Sequence, residues 1–165
     1  MKFRRCIALV LALVLTALCL PPLQDAAYAA PAYTIHVDLT NQITTVYRNG
    51  NETDSGVVRQ MICSTGASGT PTPTGTFTMP AKRYSSERKE WYYFPEFNCY
   101  AKYASRIVNG ILFHSVLYNS NKKGPTNSSV RALGRKASHG CIRLAEDNAQ
   151  WIFQNCPEGT TVVIR

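Results

Sequence analysis

The chain has 165 residues, which suits one domain and excludes two sizeable ones. Hydrophobic residues make up 45% of it and charged residues 17%, a composition that excludes a long disordered chain. The formal net charge of +8 indicates an anionic partner or serves solubility alone, and its scattered distribution argues against nucleic acid.

The first thirty residues have the pattern of an export signal. Three basic residues precede an apolar run over residues 6–20, which is shorter than the roughly 20 residues that span a bilayer. Ala27 and Ala29 then form an Ala-x-Ala cleavage pattern. We predict a signal peptide over residues 1–29 and a secreted, cell-wall-located domain over residues 30–165; an uncleaved membrane anchor is the alternative. The mature charge, after loss of three basic residues and one acidic residue, is +6.

Short apolar segments with alternating or β-branched residues predict strands along most of the remaining chain. A turn is predicted at Asn49-Gly50-Asn51, and a loop rich in Pro, Gly and Thr over residues 65–75. The predicted strands cover residues 33–39, 43–48, 57–64, 110–116 and 160–165, and a further strand begins at residues 77–79.

Two segments are candidates for the border of a binding site. Residues 81–105 are rich in charged and aromatic side chains, a pattern typical of a binding rim or of an ordinary hairpin. Residues 118–136 form a long polar stretch, which in a compact domain is often a lid or a substrate loop.

One amphipathic helix is predicted near the end of the chain. Glu146 and Asp147 lie in its first turn, where the helix dipole favours anions, and Pro157 ends it. A mainly β domain with one C-terminal helix follows, as a sandwich or a barrel-like fold. The predicted apolar face of the helix consists of Ala149, Ile152, Phe153 and Cys156.

The segment Ser138-His139-Gly140-Cys141-Ile142-Arg143-Leu144 is the most informative for chemistry. An extended conformation places Cys141 on one side with His139 and Arg143, two potential cations that would lower the pKa of the thiol. A thiolate is a nucleophile, and Gly140 would let the chain turn and expose backbone N–H groups for an oxyanion. A buried cysteine beside a structural histidine is the alternative interpretation.

A nucleophilic cysteine needs a base, and His114 stands at the end of an apolar strand. The backbone carbonyl of Ser115 is a candidate to fix its tautomer. His36 in the first strand is the other candidate base. A zinc site formed by His114, His139 and Cys141 is a further interpretation, although no recognisable ligand motif supports it.

The other mature cysteines are Cys63, Cys99 and Cys156. Cys63 lies in a predicted strand and Cys156 on the apolar helix face, so both are candidates for buried thiols. A disulfide among the three would leave Cys141 free and one further thiol unpaired. The sequence leaves this choice open.

Three segments occur in an informative order: S-T-G-A-S-G-T-P-T-P-T-G-T-F from Ser64, F-H-S around His114, and S-H-G-C-I-R-L from Ser138. A helix and the segment G-T-T-V-V-I-R follow. Together they resemble the catalytic domain of YkuD-type L,D-transpeptidases over essentially the whole mature chain. The resemblance implies a single β-sandwich of mixed sheets with one C-terminal helix.

The resemblance also implies roles for individual residues. Cys141 matches the nucleophile and His114 the catalytic histidine, with the carbonyl of Ser115 orienting it. Arg143 matches the motif arginine, which either binds a substrate carboxylate or supports the loop. The oxyanion region and its support would be formed by Ser138, His139 and Gly140.

By the same resemblance, the enzyme acts on peptidoglycan stem peptides. Cys141 attacks a tetrapeptide stem, D-Ala leaves, and the acyl group passes to an amine to give a 3→3 cross-link. No metal, cofactor or partner protein is implied, and carbapenems are expected to acylate Cys141. There are three alternatives. The enzyme could hydrolyse the thioester, as an L,D-carboxypeptidase does, it could be a sortase-like transpeptidase, or the domain could be an inactive wall-binding module.

Overall fold

The computed structural model describes residues 32–80 and 90–165. The predicted signal peptide and residues 81–89 of the aromatic segment lie outside the described residues. The strands are β1 (Tyr33–Asp38), β2 (Ile43–Arg48), β3 (Val57–Ser64), β4 (Gly75–Thr78), β5 (Trp91–Phe94), β6 (Cys99–Lys102), β7 (Ser105–Val108), β8 (Ile111–Ser115), β9 (Ile142–Leu144) and β10 (Thr161–Ile164); the helices are α1 (Asn127–Arg131) and α2 (Glu146–Asn155).

The main sheet has eight strands in the order β4-β10-β1-β2-β3-β9-β8-β7, so the mainly β prediction is confirmed. It is mixed, because β1 with β10 and β8 with β9 pair in parallel while the other neighbours are antiparallel. Strand β3 joins the two halves: its first part pairs with β2, and Cys63 and Ser64 pair with β9. The end strands β4 and β7 contact each other, so the sheet folds back around one core.

The core is built from the inward-facing residues of both halves of the sheet. Ile35 and Val46 come from β1 and β2, and Phe113 and Ile142 come from β8 and β9; all four are fully buried. Burial of each such side chain contributes roughly 1.5–3 kcal/mol. Because Phe113 precedes His114 directly, the packing of the core also fixes the strand that carries the candidate base.

Helix α2 closes one side of this core, as predicted. Ala149 and Ile152 are fully buried, and Cys156 is buried just after the last turn. Cys156 has extended backbone angles, which is the conformation favoured before a proline and ends the helix. No helix within the two described ranges is long and apolar enough to cross a membrane.

The polar stretch between β8 and β9 is not an irregular loop throughout. The polar stretch contains the short helix α1, whose N-cap Thr126 accepts a hydrogen bond from the backbone of Ser129 at 3.3 Å. Tyr118 pairs through its backbone with Tyr100, with N···O distances of 2.7 and 2.9 Å. The start of the loop therefore extends the β5–β6 pair, which we call the cap hairpin (residues 91–102).

Candidate active site

The parallel pairing of β8 and β9 places the candidate residues on one face of the sheet. Phe113 is in register with Ile142, and His114 with Arg143. Ile142 is fully buried on the core side, as the alternation predicted. Cys141, one residue before β9, therefore lies on the same side as His114 and Arg143.

These side chains line a narrow cleft with a volume of about 30 Å³. Phe94 and Phe97 of the cap hairpin line its other side. The aromatic segment is thus both a hairpin and a rim, the two interpretations that its sequence left open. The predicted residues that line the cleft are His114, His139, Cys141 and Arg143.

The imidazole of His114 is held by its own neighbour in the chain. Its Nδ1 lies 2.6 Å from the carbonyl oxygen of Ser115, the residue expected to orient it. Because a carbonyl oxygen only accepts, Nδ1 carries the proton and Nε2 is left as the base. Complete burial, with a smaller contribution from the nearby Arg143, lowers the pKa of His114 to about 4 against the opposing effect of the hydrogen bond to Ser115. The ring is therefore neutral at neutral pH.

The thiol of Cys141 is neutral as well, which corrects the expectation of a lowered pKa. Burial raises the pKa of Cys141, and this outweighs the lowering by the backbone of Leu112 and by Arg143 and Arg106. The thiol donates a weak hydrogen bond to the carbonyl oxygen of Gly110, with an S···O distance of 3.5 Å. The expectation failed because the sequence shows neighbouring charges but not the loss of solvent.

The described ring contact of His139 is with the cap hairpin, and the charged groups that shift the pKa of Cys141 are Arg143 and Arg106. The side chain of His139 is exposed, and its ring packs against Phe97 with 4.6 Å between ring centroids. His139 therefore joins the turn before Cys141 to the cap hairpin.

Ser138 and Gly140 shape the turn that carries Cys141. The hydroxyl of Ser138 donates to the carbonyl oxygen of Cys141 at 2.5 Å and accepts from the N–H of Gly140 at 3.1 Å. The N–H of Gly140 is thus already used, so an oxyanion would need other backbone N–H groups of this turn. Gly140 has a φ of +102°, and a Cβ there would lie 2.8 Å from the side chain of Ile111. This backbone needs glycine.

The Pro-rich loop supports the same turn, a role that the sequence analysis missed. The buried hydroxyl of Thr72 accepts from the N–H of Gly66 at 2.8 Å and donates to the carbonyl oxygen of Gly140 at 2.8 Å. The hydroxyl of Thr70 donates to the carbonyl oxygen of Ser138 at 3.0 Å. The position of Thr72 between two prolines is the sequence signal that marks it.

Arg143 supports the turn, which is one of the two roles considered for it. Its Nη1 donates to the carbonyl oxygen of Ala137 at 3.2 Å, which supports the turn. Its Nε is buried and has no hydrogen-bond partner among the described residues. A half-buried guanidinium beside the cleft has the geometry and charge to pair with a carboxylate.

Other candidates lie elsewhere or form no site. His36 is on β1, where its ring lies 3.1 Å from the carboxylate of Glu52, and it does not line the cleft. Residues 32–80 and 90–165 contain no cluster of three or more His, Cys, Asp or Glu side chains that could hold a metal ion, so the zinc interpretation has no support.

All four cysteines of the described ranges are free, so no disulfide joins Cys63, Cys99 and Cys156. Cys63 and Cys156 are buried, as their positions indicated. Cys99 lines the cleft beside Cys141, a placement that the sequence did not indicate.

The sequence matches a known family over nearly the whole described chain. The model of the YkuD L,D-transpeptidase catalytic domain matches residues 32–164. The chain belongs to this family.

Individual L,D-transpeptidases give the same result. The chain is 37% identical over 115 residues to YciB of Bacillus subtilis (strain 168), named as an L,D-transpeptidase, with 67% of this chain and 56% of YciB covered. It is 32% identical over 127 residues to L,D-transpeptidase 1 of Mycobacterium tuberculosis (strain ATCC 25618 / H37Rv), with 73% and 45% covered. The chain thus spans about half the length of the curated relatives that it matches.

A solved structure of this family has the same fold. The structure of the L,D-transpeptidase LdtMt1 in complex with imipenem aligns with a TM-score of 0.61 at 29% identity. The alignment covers 81% of this chain and 59% of that chain.

Proposed function

We propose that this protein is a cysteine L,D-transpeptidase that forms 3→3 cross-links in peptidoglycan. The observation that carries the proposal is the placement of Cys141 in one cleft with His114, whose Nδ1 is held by the carbonyl of Ser115. A thiol beside an oriented imidazole is the minimal apparatus for covalent acyl transfer. Membership of the YkuD family supports this chemistry.

The first half-reaction forms a thioester. Nε2 of His114 takes the proton of the Cys141 thiol as Sγ attacks the carbonyl carbon of the third stem residue at its L-centre. The resulting imidazolium then gives that proton to the leaving nitrogen, and the C–N bond to D-Ala breaks. Since both groups are neutral at rest, the proton stays on sulfur until the substrate is in place.

The second half-reaction transfers the acyl group. An amine from a neighbouring stem attacks the thioester carbonyl, Nε2 of His114 takes the amine proton, and this proton passes to the departing sulfur of Cys141. The product is a 3→3 peptide bond and a free thiol. Water in place of the amine would give hydrolysis instead, the reaction of an L,D-carboxypeptidase.

Arg143 and Arg106 stabilise negative charge in this cycle. Both lower the pKa of Cys141 against the effect of burial, so they favour the transient thiolate. The open Nε of Arg143 serves a carboxylate of the stem peptide, while its Nη1 keeps the turn in place.

Location and inhibitor binding complete the proposal. The predicted signal peptide over residues 1–29 would export the domain to the cell wall, where its positive charge favours the anionic polymer.

LdtMt1 has been solved with imipenem, and we infer that a carbapenem acylates Cys141 here by opening of its β-lactam ring.

Product analysis tests the proposed reaction. Residues 30–165 are incubated with a disaccharide-tetrapeptide, and the products are followed by mass spectrometry. Loss of D-Ala together with cross-linked dimers is the expected result, and Cys141→Ala should abolish both. Loss of D-Ala without dimers would replace the transpeptidase with a carboxypeptidase. No reaction with any stem peptide and no carbapenem adduct would favour the wall-binding module.

A further inference from the structure

Lys102 lies at the junction of three segments around the catalytic histidine. Its ammonium is 2.7 Å from a carboxylate oxygen of Glu146, the first residue of α2, and 2.9 Å from one of Glu90. The other carboxylate oxygen of Glu146 accepts a hydrogen bond from the hydroxyl of Tyr118, at the start of the loop after β8. The cap hairpin, this loop and helix α2 are therefore fastened at one point.

The surroundings of this ammonium favour a fixed geometry. The side chain of Lys102 is 16% exposed. Its ammonium lies 4.8 Å from the centre of the Trp91 ring and 5.5 Å from that of Tyr118. Two carboxylates and two aromatic faces around one cation form a network, which holds its geometry better than an isolated surface pair does.

The same residue contacts the support of the catalytic base through its backbone. The N–H of Lys102 donates to the hydroxyl of Ser115 at 2.8 Å, and that hydroxyl donates to the carbonyl oxygen of Val116 at 2.8 Å. The carbonyl of Ser115 is the group that holds Nδ1 of His114. Only one residue, Ser115, separates Lys102 from the imidazole in this chain of contacts.

We propose that Lys102, anchored by Glu146, is a positioning residue that sets the Ser115 peptide and thereby the orientation of His114 toward Cys141. This inference rests on the proposed function, because the orientation of His114 matters only if His114 is the base for Cys141. Lys102 does not line the cleft and touches no reacting atom. A small rotation of the Ser115 peptide would turn Nε2 away from the thiol, and misplacement of about 1 Å costs roughly 100-fold in rate.

The pH dependence of thiol alkylation reports this orientation without any peptidoglycan. The titratable or charged groups near the His114–Cys141 pair are Arg143 on β9, Arg106 on β7, Cys99 on the cap hairpin and His139 on the turn before Cys141. With His114 in place as a general base, iodoacetamide should react with Cys141 at a nearly constant rate below the thiol pKa. Without the base, the rate should fall about tenfold for each pH unit below that pKa.

The experiment compares Lys102→Met with Arg59→Met. Arg59 makes an ion pair of 2.7 Å with Asp147, also in the first turn of α2, and it is not among the residues that line the cleft. Alkylation of Cys141 is measured by peptide mass spectrometry between pH 5 and 9, and kcat and KM are measured with the tetrapeptide. Each rate is corrected for the folded fraction.

Lys102→Met is expected to lose the constant-rate region, as His114→Gln does, and to lose roughly 10- to 100-fold in kcat with little change in KM. Lys102→Arg should restore much of both, whereas Arg59→Met should lose stability alone. A wild-type pH profile and kcat in folded Lys102→Met would overturn the inference. If Lys102→Met loses the constant-rate region but the wild-type protein cross-links no peptide, the positioning role stands and the proposed function is rejected.

Discussion

Thr72 donates a hydrogen bond of 2.8 Å to the carbonyl oxygen of Gly140, which joins the Pro-rich loop to the turn that carries Cys141. The same hydroxyl accepts from the N–H of Gly66, so one buried side chain satisfies two backbone groups. The turn before the nucleophile is therefore supported from a segment about seventy residues earlier in the chain. This support is what makes the Pro-rich loop part of the site.

Replacement of Thr72 by valine should destabilise the protein and slow acylation of Cys141. Valine keeps the shape but leaves the N–H of Gly66 and the carbonyl of Gly140 without their partner, at a cost of about 1–3 kcal/mol. Urea unfolding measures this cost. The control Thr78→Val lies on an exposed strand position and should change stability by less than about 0.5 kcal/mol. Equal effects of the two substitutions would contradict the role given to Thr72.

Gly140→Ala tests the backbone of the turn itself. A side chain at a φ of +102° is strained, and the new Cβ would lie 2.8 Å from the side chain of Ile111. We expect a loss of about 1–3 kcal/mol in stability and a slower reaction of Cys141. Gly110→Ala is the matched control, because nothing lies within 4 Å of a Cβ there. An active and fully stable Gly140→Ala variant would show that the turn tolerates an L side chain.

The buried His114 should make the protein less stable in acid. Its pKa falls from 6.5 to about 4 on folding, so the unfolded chain binds more protons between these values. The contribution of neutral His114 to the free energy of unfolding is therefore fully present above pH 6.5. It is lost as the pH drops toward 4, by an amount of the order of 3 kcal/mol. Denaturant titrations at pH 7 and pH 4.5 measure the loss. His114→Gln should show a smaller loss, and an identical pH dependence of the two proteins would refute the explanation.

The cysteines should differ in reactivity in the folded protein. Burial raises the pKa of Cys63 to about 11 and that of Cys156 to about 12, and both thiols are inaccessible. Cys99 and Cys141 line the cleft and are only partly buried. A brief native treatment with a thiol reagent, followed by peptide mapping, should label the two cleft cysteines first. Labelling of Cys63 at the rate of Cys141 would indicate an opened core.

Local patterns in the sequence predicted the parts of the fold that depend on local physics. The β-branched and apolar composition of residues 43–48 and 57–64 predicted β2 and β3 with the bounds that the structure has, and the apolar spacing predicted α2. Helix α1 was missed, because five residues are too few to show a helical period. The bond between His114 and Ser115 joins adjacent residues, which is why a sequence argument could name it.

Long-range placement was the part that the sequence could not give. The pKa of Cys141 depends on burial, and the contacts of Thr72 with Gly140 and of Lys102 with Ser115 join distant segments. Cys99 likewise reaches the cleft only through the pairing of β5 with β6. Such contacts leave no periodic pattern in one sequence.

The most direct test of the central claim is the trapped acyl-enzyme. The mature protein is incubated with a tetrapeptide donor that has no acceptor amine, quenched in acid, digested and analysed by mass spectrometry. We expect release of D-Ala and a thioester on the peptide that contains Cys141, both formed more slowly in His114→Gln and absent in Cys141→Ala. Release of D-Ala by Cys141→Ala, or an acyl group carried only by another residue, would contradict that claim.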